Sequence, residues 1–320
     1  MKKSYFFGLA FLFLVSSGVR AADTGEAAQE LGKQLHGKNP VWTADRLAKM
    51  GKVAVPVLKE AIKEKDGNLR SIVANALGQI GPDAKDAIPE IVQALNEQNE
   101  PYATSALALA LGKIGPNAVP ALRELLKGNN VTIQGEAAGA LKLMGPEAKD
   151  AVPELIDVVK KRKDATDIAG LQAIDALGKI GPNAKDAVPE LTEALKDKTA
   201  HSPFRLRAAM ALGNMGPGAK DAVPALVDAL NAETAKYGPL RFHAATALGQ
   251  IGPDAEKAVL PLLDLLNDKN AGPARLLAID ALGKIGPGAK DAVRTLKEIA
   301  ESNDKPLATA ANKAIEKIQK

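Results

Sequence analysis

Three histidines, His36, His201 and His243, are the natural starting points for metal or general-base chemistry, but they lie far apart and none stands in a His-x-His, His-Glu or His-Glu-x-x-His spacing. Such spacings place two ligands on one helix face, so no metal site is read from this chain. The absence of any cysteine excludes disulfides, thiolate nucleophiles, cysteine-ligated metal and a lipid-modified N-terminal cysteine. There is no Gly-x-Ser-x-Gly elbow. Gly216-Pro217-Gly218-Ala219-Lys220 resembles a phosphate loop only superficially, because Asp221 stands where a hydroxyl would hold magnesium. Acidic residues are plentiful, yet most sit in a recurring Ala-Lys-Asp-Ala string, where a carboxylate beside a helix N-terminus is favourable. The densest basic run, Lys160-Lys161-Arg162-Lys163, either meets an anionic partner or offsets the dipole at a helix end. No catalytic residue, metal ligand or cofactor is assigned.

The elements that would position these residues are set by a repeat. Ala76-Leu77-Gly78-Gln79-Ile80-Gly81-Pro82 returns in near copy at residues 110–116, 176–182, 211–217, 247–253 and 281–287. The closing glycines, Gly51, Gly81, Gly115, Gly145, Gly181, Gly216, Gly252 and Gly286, are 30 to 36 residues apart, room for two helices and two turns. In one unit, Asp83 to Asn96 carries apolar residues on one helical face (helix A), and Pro101 opens a second helix that ends at Gly115 (helix B). Glycine followed by proline is the stop signal, with an αL residue expected at the glycine. The Ala-Lys-Asp-Ala string and the proline after it (Pro56, Pro89, Pro120, Pro153, Pro189, Pro224, Pro261) predict a bent first turn in helix A. Arg294 replaces that proline in the last full unit, which predicts a straighter helix there.

The first residues read as an export signal: Lys2 and Lys3, an apolar run from Tyr5 to Val15, then small residues ending at Ala21, with an uncleaved anchor as the alternative. Residues 1–21 hold Lys2, Lys3, Arg20 and no acid, so removing them lowers the net charge from +4 to +1. Only Trp42, Tyr102, Phe204, Tyr237 and Phe242 then remain as aromatic side chains. Near-neutral charge and few rings argue against nucleic acid, which is bound through neutralised phosphates and stacked bases.

The string Ala-x-x-Ala-Leu-Gly-x-Ile-Gly-Pro-x-Ala-Lys-Asp-Ala-Val-Pro-x-Leu, with an arginine near the start of helix B at Arg70, Arg205, Arg241 and Arg275, resembles HEAT repeats, in particular the short variety of phycobilisome lyase subunits. The resemblance covers about residues 40–318. It implies an all-α, right-handed α-solenoid; about nine helical hairpins can be counted, which at roughly 9 to 10 Å between packed helices of successive hairpins make a superhelix on the order of 80 to 90 Å long. The expected organisation is a signal peptide over 1–21 and one solenoid domain over 22–320. That domain comprises an irregular cap hairpin at about 24–51, regular repeats at about 52–302 and a capping helix at about 306–318. Thr104, Gln134 and Gly170 stand where the arginine would be, which predicts looser turns in that stretch, and the short third unit (Asn117-Ala118-Val119-Pro120) predicts a local change of curvature.

HEAT B helices usually line the concave face, so the residues projecting from them are the candidates for partner binding. A ridge at helical spacing holds Trp42, Ile72, Leu109 and Leu143 in its N-terminal half, with Arg207 and His243 further along. Trp42 either anchors a partner or covers the end of the core. A second candidate is the edge of the A-to-B turns, where His201, Phe204 and Arg205 neighbour Tyr237, Arg241, Phe242 and His243; there the alternative is rings packed beneath long turns. The expected function is a non-enzymatic, exported scaffold, periplasmic or extracellular. It would bind a protein or peptide as a monomer, with no nucleic acid, no transmembrane span in the mature chain and no cofactor. The alternative, from the resemblance, is a phycobilin lyase-like tetrapyrrole-binding protein. A HEAT-type DNA glycosylase is opposed by the signal segment, the charge and the scarcity of rings.

Overall fold

The computed structural model describes residues 25–97, 100–161, 167–197, 203–231 and 238–320. The export-signal reading, His201 and Tyr237 therefore fall outside the described residues, as do Arg162 and Lys163 of the basic run.

Apolar positions at helical spacing, punctuated by glycine and proline, give α-helices and short 3-10 turns and no strand among the described residues. The A helices are α3 (Val55–Ala61), α5 (Ile88–Glu97), α7 (Val119–Lys127), α9 (Val152–Lys160), α11 (Val188–Lys196), α13 (Val223–Asn231), α15 (Val259–Asn267) and α17 (Val293–Ala300). They alternate with B helices α2 (Pro40–Lys49), α4 (Gly67–Ile80), α6 (Pro101–Ile114), α8 (Val131–Met144), α10 (Ile168–Ile180), α12 (Pro203–Asn214), α14 (Pro239–Ile251), α16 (Ala274–Ile285) and α18 (Lys305–Ile318). With α1 (Gly25–Gly32) before α2, they make nine successive pairs among the described residues, an all-α solenoid. None of these helices is long and apolar enough to cross a membrane. Contacts group the residues into two compact units, Met1–Ala140 and Leu141–Lys320.

Within each unit the heaviest packing is between successive B helices: α4 on α6 in the first, and α12 on α14, α14 on α16 and α16 on α18 in the second. The glycine that follows the Ala-Leu pair in these B helices explains it. A Cβ on Gly78 would sit 3.3 Å from the Cα of Ala110, on Gly178 3.0 Å from that of Ala211, and on Gly283 3.0 Å from that of Ala314. Glycine costs an exposed helix about 1 kcal/mol relative to alanine, and here the cost is offset because backbones approach closely. Ala76, Leu77, Ala176, Leu177, Ala247 and Leu248 are all buried beside these contacts.

Helix B ends as expected in a glycine of positive φ, but not in αL. Gly81 has φ 70 and ψ −136, and Gly252 φ 74 and ψ −135, with their N–H groups bonded to Leu77 O and Leu248 O. That region is nearly closed to residues with a Cβ, so asparagine, which tolerates αL, would not substitute. The bent approach to helix A is a 3-10 turn, as in Gly81–Ala87 and Gly216–Ala222, in which the alanines are buried and the lysine and aspartate exposed. The short unit has the three-residue Pro116–Ala118 in its place.

A second expectation fails. Arg294 does not straighten its helix: the turn Gly286–Ala292 is kept, and Ala289 (φ −95, ψ 22) repeats the conformation of Ala219 (φ −97, ψ 17). Burial of Ala289 and Ala292 in the stack sets the bend, and the proline merely tolerates it.

Candidate functional site

The family-type arginines work inside the fold. Arg70, 2% exposed, donates from Nε to Ile62 O (3.3 Å) and from Nη1 to Ala94 O (3.3 Å), and pairs with Glu97 (3.0 Å). It closes the C-terminus of α3 and ties it to α5. Arg205 Nε donates to Leu195 O (2.9 Å) and Arg275 Nε to Leu266 O (2.8 Å), each satisfying a carbonyl that a helix end leaves over. Arg241 reaches Asp268 (3.3 Å) with the same 27-residue offset as Arg70 to Glu97.

Gln134 corrects the expectation of a looser turn at its position. Its Nε2 donates to Leu126 O (2.9 Å) and Gly128 O (2.7 Å), so a neutral amide performs the arginine's task. Thr104 instead turns back to Glu100 O (3.1 Å), and at Gly170 the Asp167 carboxylate caps α10 through Gly170 N (3.1 Å).

The turn edge therefore offers less than its sequence suggests. Phe204 is 1% exposed, so its ring belongs to the core and is not available to a partner, which corrects its place among the candidates. Phe242 is half-buried, and the guanidinium of Arg205 is engaged with α11. His243 is half-buried too, and burial pushes its imidazole below the usual histidine range, towards the neutral form.

The B-helix ridge is better supplied. In the first unit Trp42 is 54% exposed, with the Arg46 guanidinium 5.0 Å from its ring centroid, a cation–π contact. With Asp45, Ile72, Asn75 and Gln79 it lines an open groove of about 670 Å³. Leu109 is half-buried between its neighbours. In the second unit Leu143 is 57% and Met210 47% exposed. Between them Lys142 Nζ donates to Gln172 Oε1 (2.8 Å) and lies 3.7 Å from Asp175 Oδ2, which Arg207 also engages. Lys142 was not singled out by the sequence reasoning, although one signal marks it: it stands where the other repeats have Gly78, Gly112, Gly178, Gly213, Gly249 and Gly283. Among the described residues no group of three or more His, Asp or Glu side chains is arranged to hold a metal ion.

The order of elements and the repeat string match a known pattern: HEAT repeats align with residues 26–112, 88–171, 162–238 and 234–316. The chain belongs to the HEAT-repeat family. Over 60 residues it is 43% identical to the uncharacterized protein SkfG of Bacillus subtilis (strain 168), covering 19% of this chain and 34% of SkfG. Among solved structures, 98% of this HEAT-repeat chain superposes on 38% of the karyopherin Kap121p bound to the SUMO protease Ulp1p, with a TM-score of 0.62 and 14% identity. The CpcE–CpcF complex of phycocyanin lyase from Nostoc sp. PCC7120 is 22% identical over 82% of this chain and 94% of that chain, with a TM-score of 0.41. The chain thus spans well under half the length of SkfG and of Kap121p. At such identities the karyopherin likeness establishes the HEAT solenoid fold, an architecture suited to protein–protein interaction.

Proposed function

We propose that this HEAT-repeat protein is a non-enzymatic, exported scaffold that captures a protein or peptide on its B-helix face. One observation carries the reading. Of the large apolar side chains exposed among the described residues, Val41, Trp42, Tyr102, Val131, Leu143, Ile168, Met210 and Leu276 are on B helices, and Leu260 alone is on an A helix. Exposed apolar groups concentrated on one class of helix mark an interaction surface, whereas scattered ones do not. Several of them, Val41, Tyr102 and Val131 in the first unit and Ile168 in the second, sit in the first turn of their helices, beside the A-to-B turns, so within each unit that edge adjoins the B-helix face. Kap121p, whose fold is shared, is found bound to a protein, which fits this use of the architecture. The export reading rests on residues 1–21, whose cations, apolar run and small residues have the order of a cleavable signal.

Photo-crosslinking in the producing cell tests it. A crosslinking residue placed at Met210 or Leu143 is expected to trap a discrete protein, and the same residue at Leu260 to trap none. Trapping from Leu260 alone, or from no position, would sink the proposal.

A further inference from the structure

We infer that Lys142 and Arg207 form a docking site for an acidic peptide segment, one that carries a carboxylate next to an apolar side chain. The inference rests on the B-helix face being the recognition surface and names the chemistry of its partner. At the place of Lys142 the repeat elsewhere has glycine, and where that glycine packs, the next helix closes down on it: a Cβ on Gly178 would meet Ala211 at 3.0 Å and one on Gly249 would meet Ala281 at 2.9 Å. The lysine gives up that small residue and extends across to α10, to Gln172 Oε1 at 2.8 Å.

Its charge is only half used. Lys142 and Arg207, on α8 and α12, both turn to one carboxylate, Asp175 on α10, while Lys179, one turn beyond Asp175, is exposed. On α14 the neighbouring ridge residue is His243, which burial holds towards the neutral form. Two cations sharing one anion, with a third one turn away, leave a positive surplus on the ridge. Gln172 and Asp175 hold the cationic heads in place, and the Lys142 and Arg207 side chains stay 30% and 37% exposed, so the site is both ordered beforehand and accessible. A guanidinium engages a carboxylate through a planar fork and an ammonium as a point charge, so an incoming aspartate or glutamate finds donors from two helices. Leu143 and Met210, exposed on either side, supply the apolar contact that sets an acidic-apolar sequence apart from a free anion.

Fluorescence anisotropy on the full chain tests this with a labelled peptide of alternating glutamate and leucine, against glutamine–leucine and lysine–leucine peptides of equal length. The glutamate peptide is expected to bind about tenfold more tightly than the glutamine peptide, and to lose about tenfold in Lys142→Gly and again in Arg207→Gln, with affinity falling as salt is raised. Lys142→Gly restores the residue of the other repeats, so it keeps the fold even where Arg207→Gln does not, and circular dichroism verifies this. Equal binding of the glutamate and glutamine peptides, or no effect of Lys142→Gly, overturns the inference and shows Lys142 to be a helix-to-helix strut. Binding of none of the peptides overturns it as well. Crosslinks from Met210 then show whether the B-helix reading survives; loss of those crosslinks takes both down.

Discussion

Gly249 of α14 lies so close to Ala281 of α16 that a Cβ added to it would stand 2.9 Å from the Ala281 Cα, a distance real Cβ atoms essentially never reach. The stack of B helices is thus set by backbone contact, with a lysine stem, Lys284 Cδ, laid over the same point at 3.4 Å.

Gly249→Ala is therefore expected to destabilise the protein by about 1 to 3 kcal/mol, although alanine is the better helix former by about 1 kcal/mol. Gly218→Ala is the control: its nearest neighbour would be Lys185 Cβ at 3.5 Å, an ordinary contact, and it should be neutral. Urea unfolding midpoints measure both; equal midpoints would mean that the helices separate without cost.

Removing the Arg70 guanidinium strands two buried carbonyls and takes its ion-pair partner from Glu97 at once. Arg70→Ala should cost about 2 to 3 kcal/mol, from the buried carbonyls it leaves unpaired, and Gln134→Ala, which breaks two neutral bonds, about 1 to 2 kcal/mol. The ranking Arg70 above Gln134 in chemical denaturation is the test, and the reverse order would show that the arginine's bonds contribute little.

Acid should weaken the fold in two separate windows. His243 has its pKa lowered by burial, so the unfolded chain takes up the proton first and stability falls as the pH drops below about 6.5, the ordinary histidine value. His243→Asn should flatten the thermal midpoint between about pH 7.5 and pH 5.5. The Glu97 carboxyl is held low by the Gln93 amide and then by Arg70, so its contribution is complete at neutral pH and disappears only in the carboxylate range. Arg70→Met should weaken that later step and leave the first unchanged.

Export predicts that the protein recovered from its host is found in the envelope or medium and that its mass corresponds to a chain beginning at Ala22. Recovery with Lys2 and Lys3 still attached would favour an anchor, and recovery from the cytosol would remove the localisation reading.

Much of the fold was legible because each signal is local. Gly-Pro stops a helix within a few residues, the apolar spacing marks its buried face, and the repetition of both along the chain can be built only as stacked hairpins. The glycine after Ala-Leu was readable as a close contact from its helix cost alone, which no local benefit offsets. Even the bent start of helix A was visible in Ala-Lys-Asp-Ala-Val-Pro.

The roles of single residues were not. Phe204 and Trp42 are both rings on B helices, yet one is 1% and the other 54% exposed. Gln134 substitutes for an arginine, Arg294 leaves its bend intact, and Lys142 bridges to a helix some 30 residues away. Sequence alone determined which segments are helices, where they end and that they pair. Only the tertiary structure decided which side chains face a neighbour, because that depends on the register of one helix against the next, set by backbone contacts such as Gly249 on Ala281 between residues 32 apart.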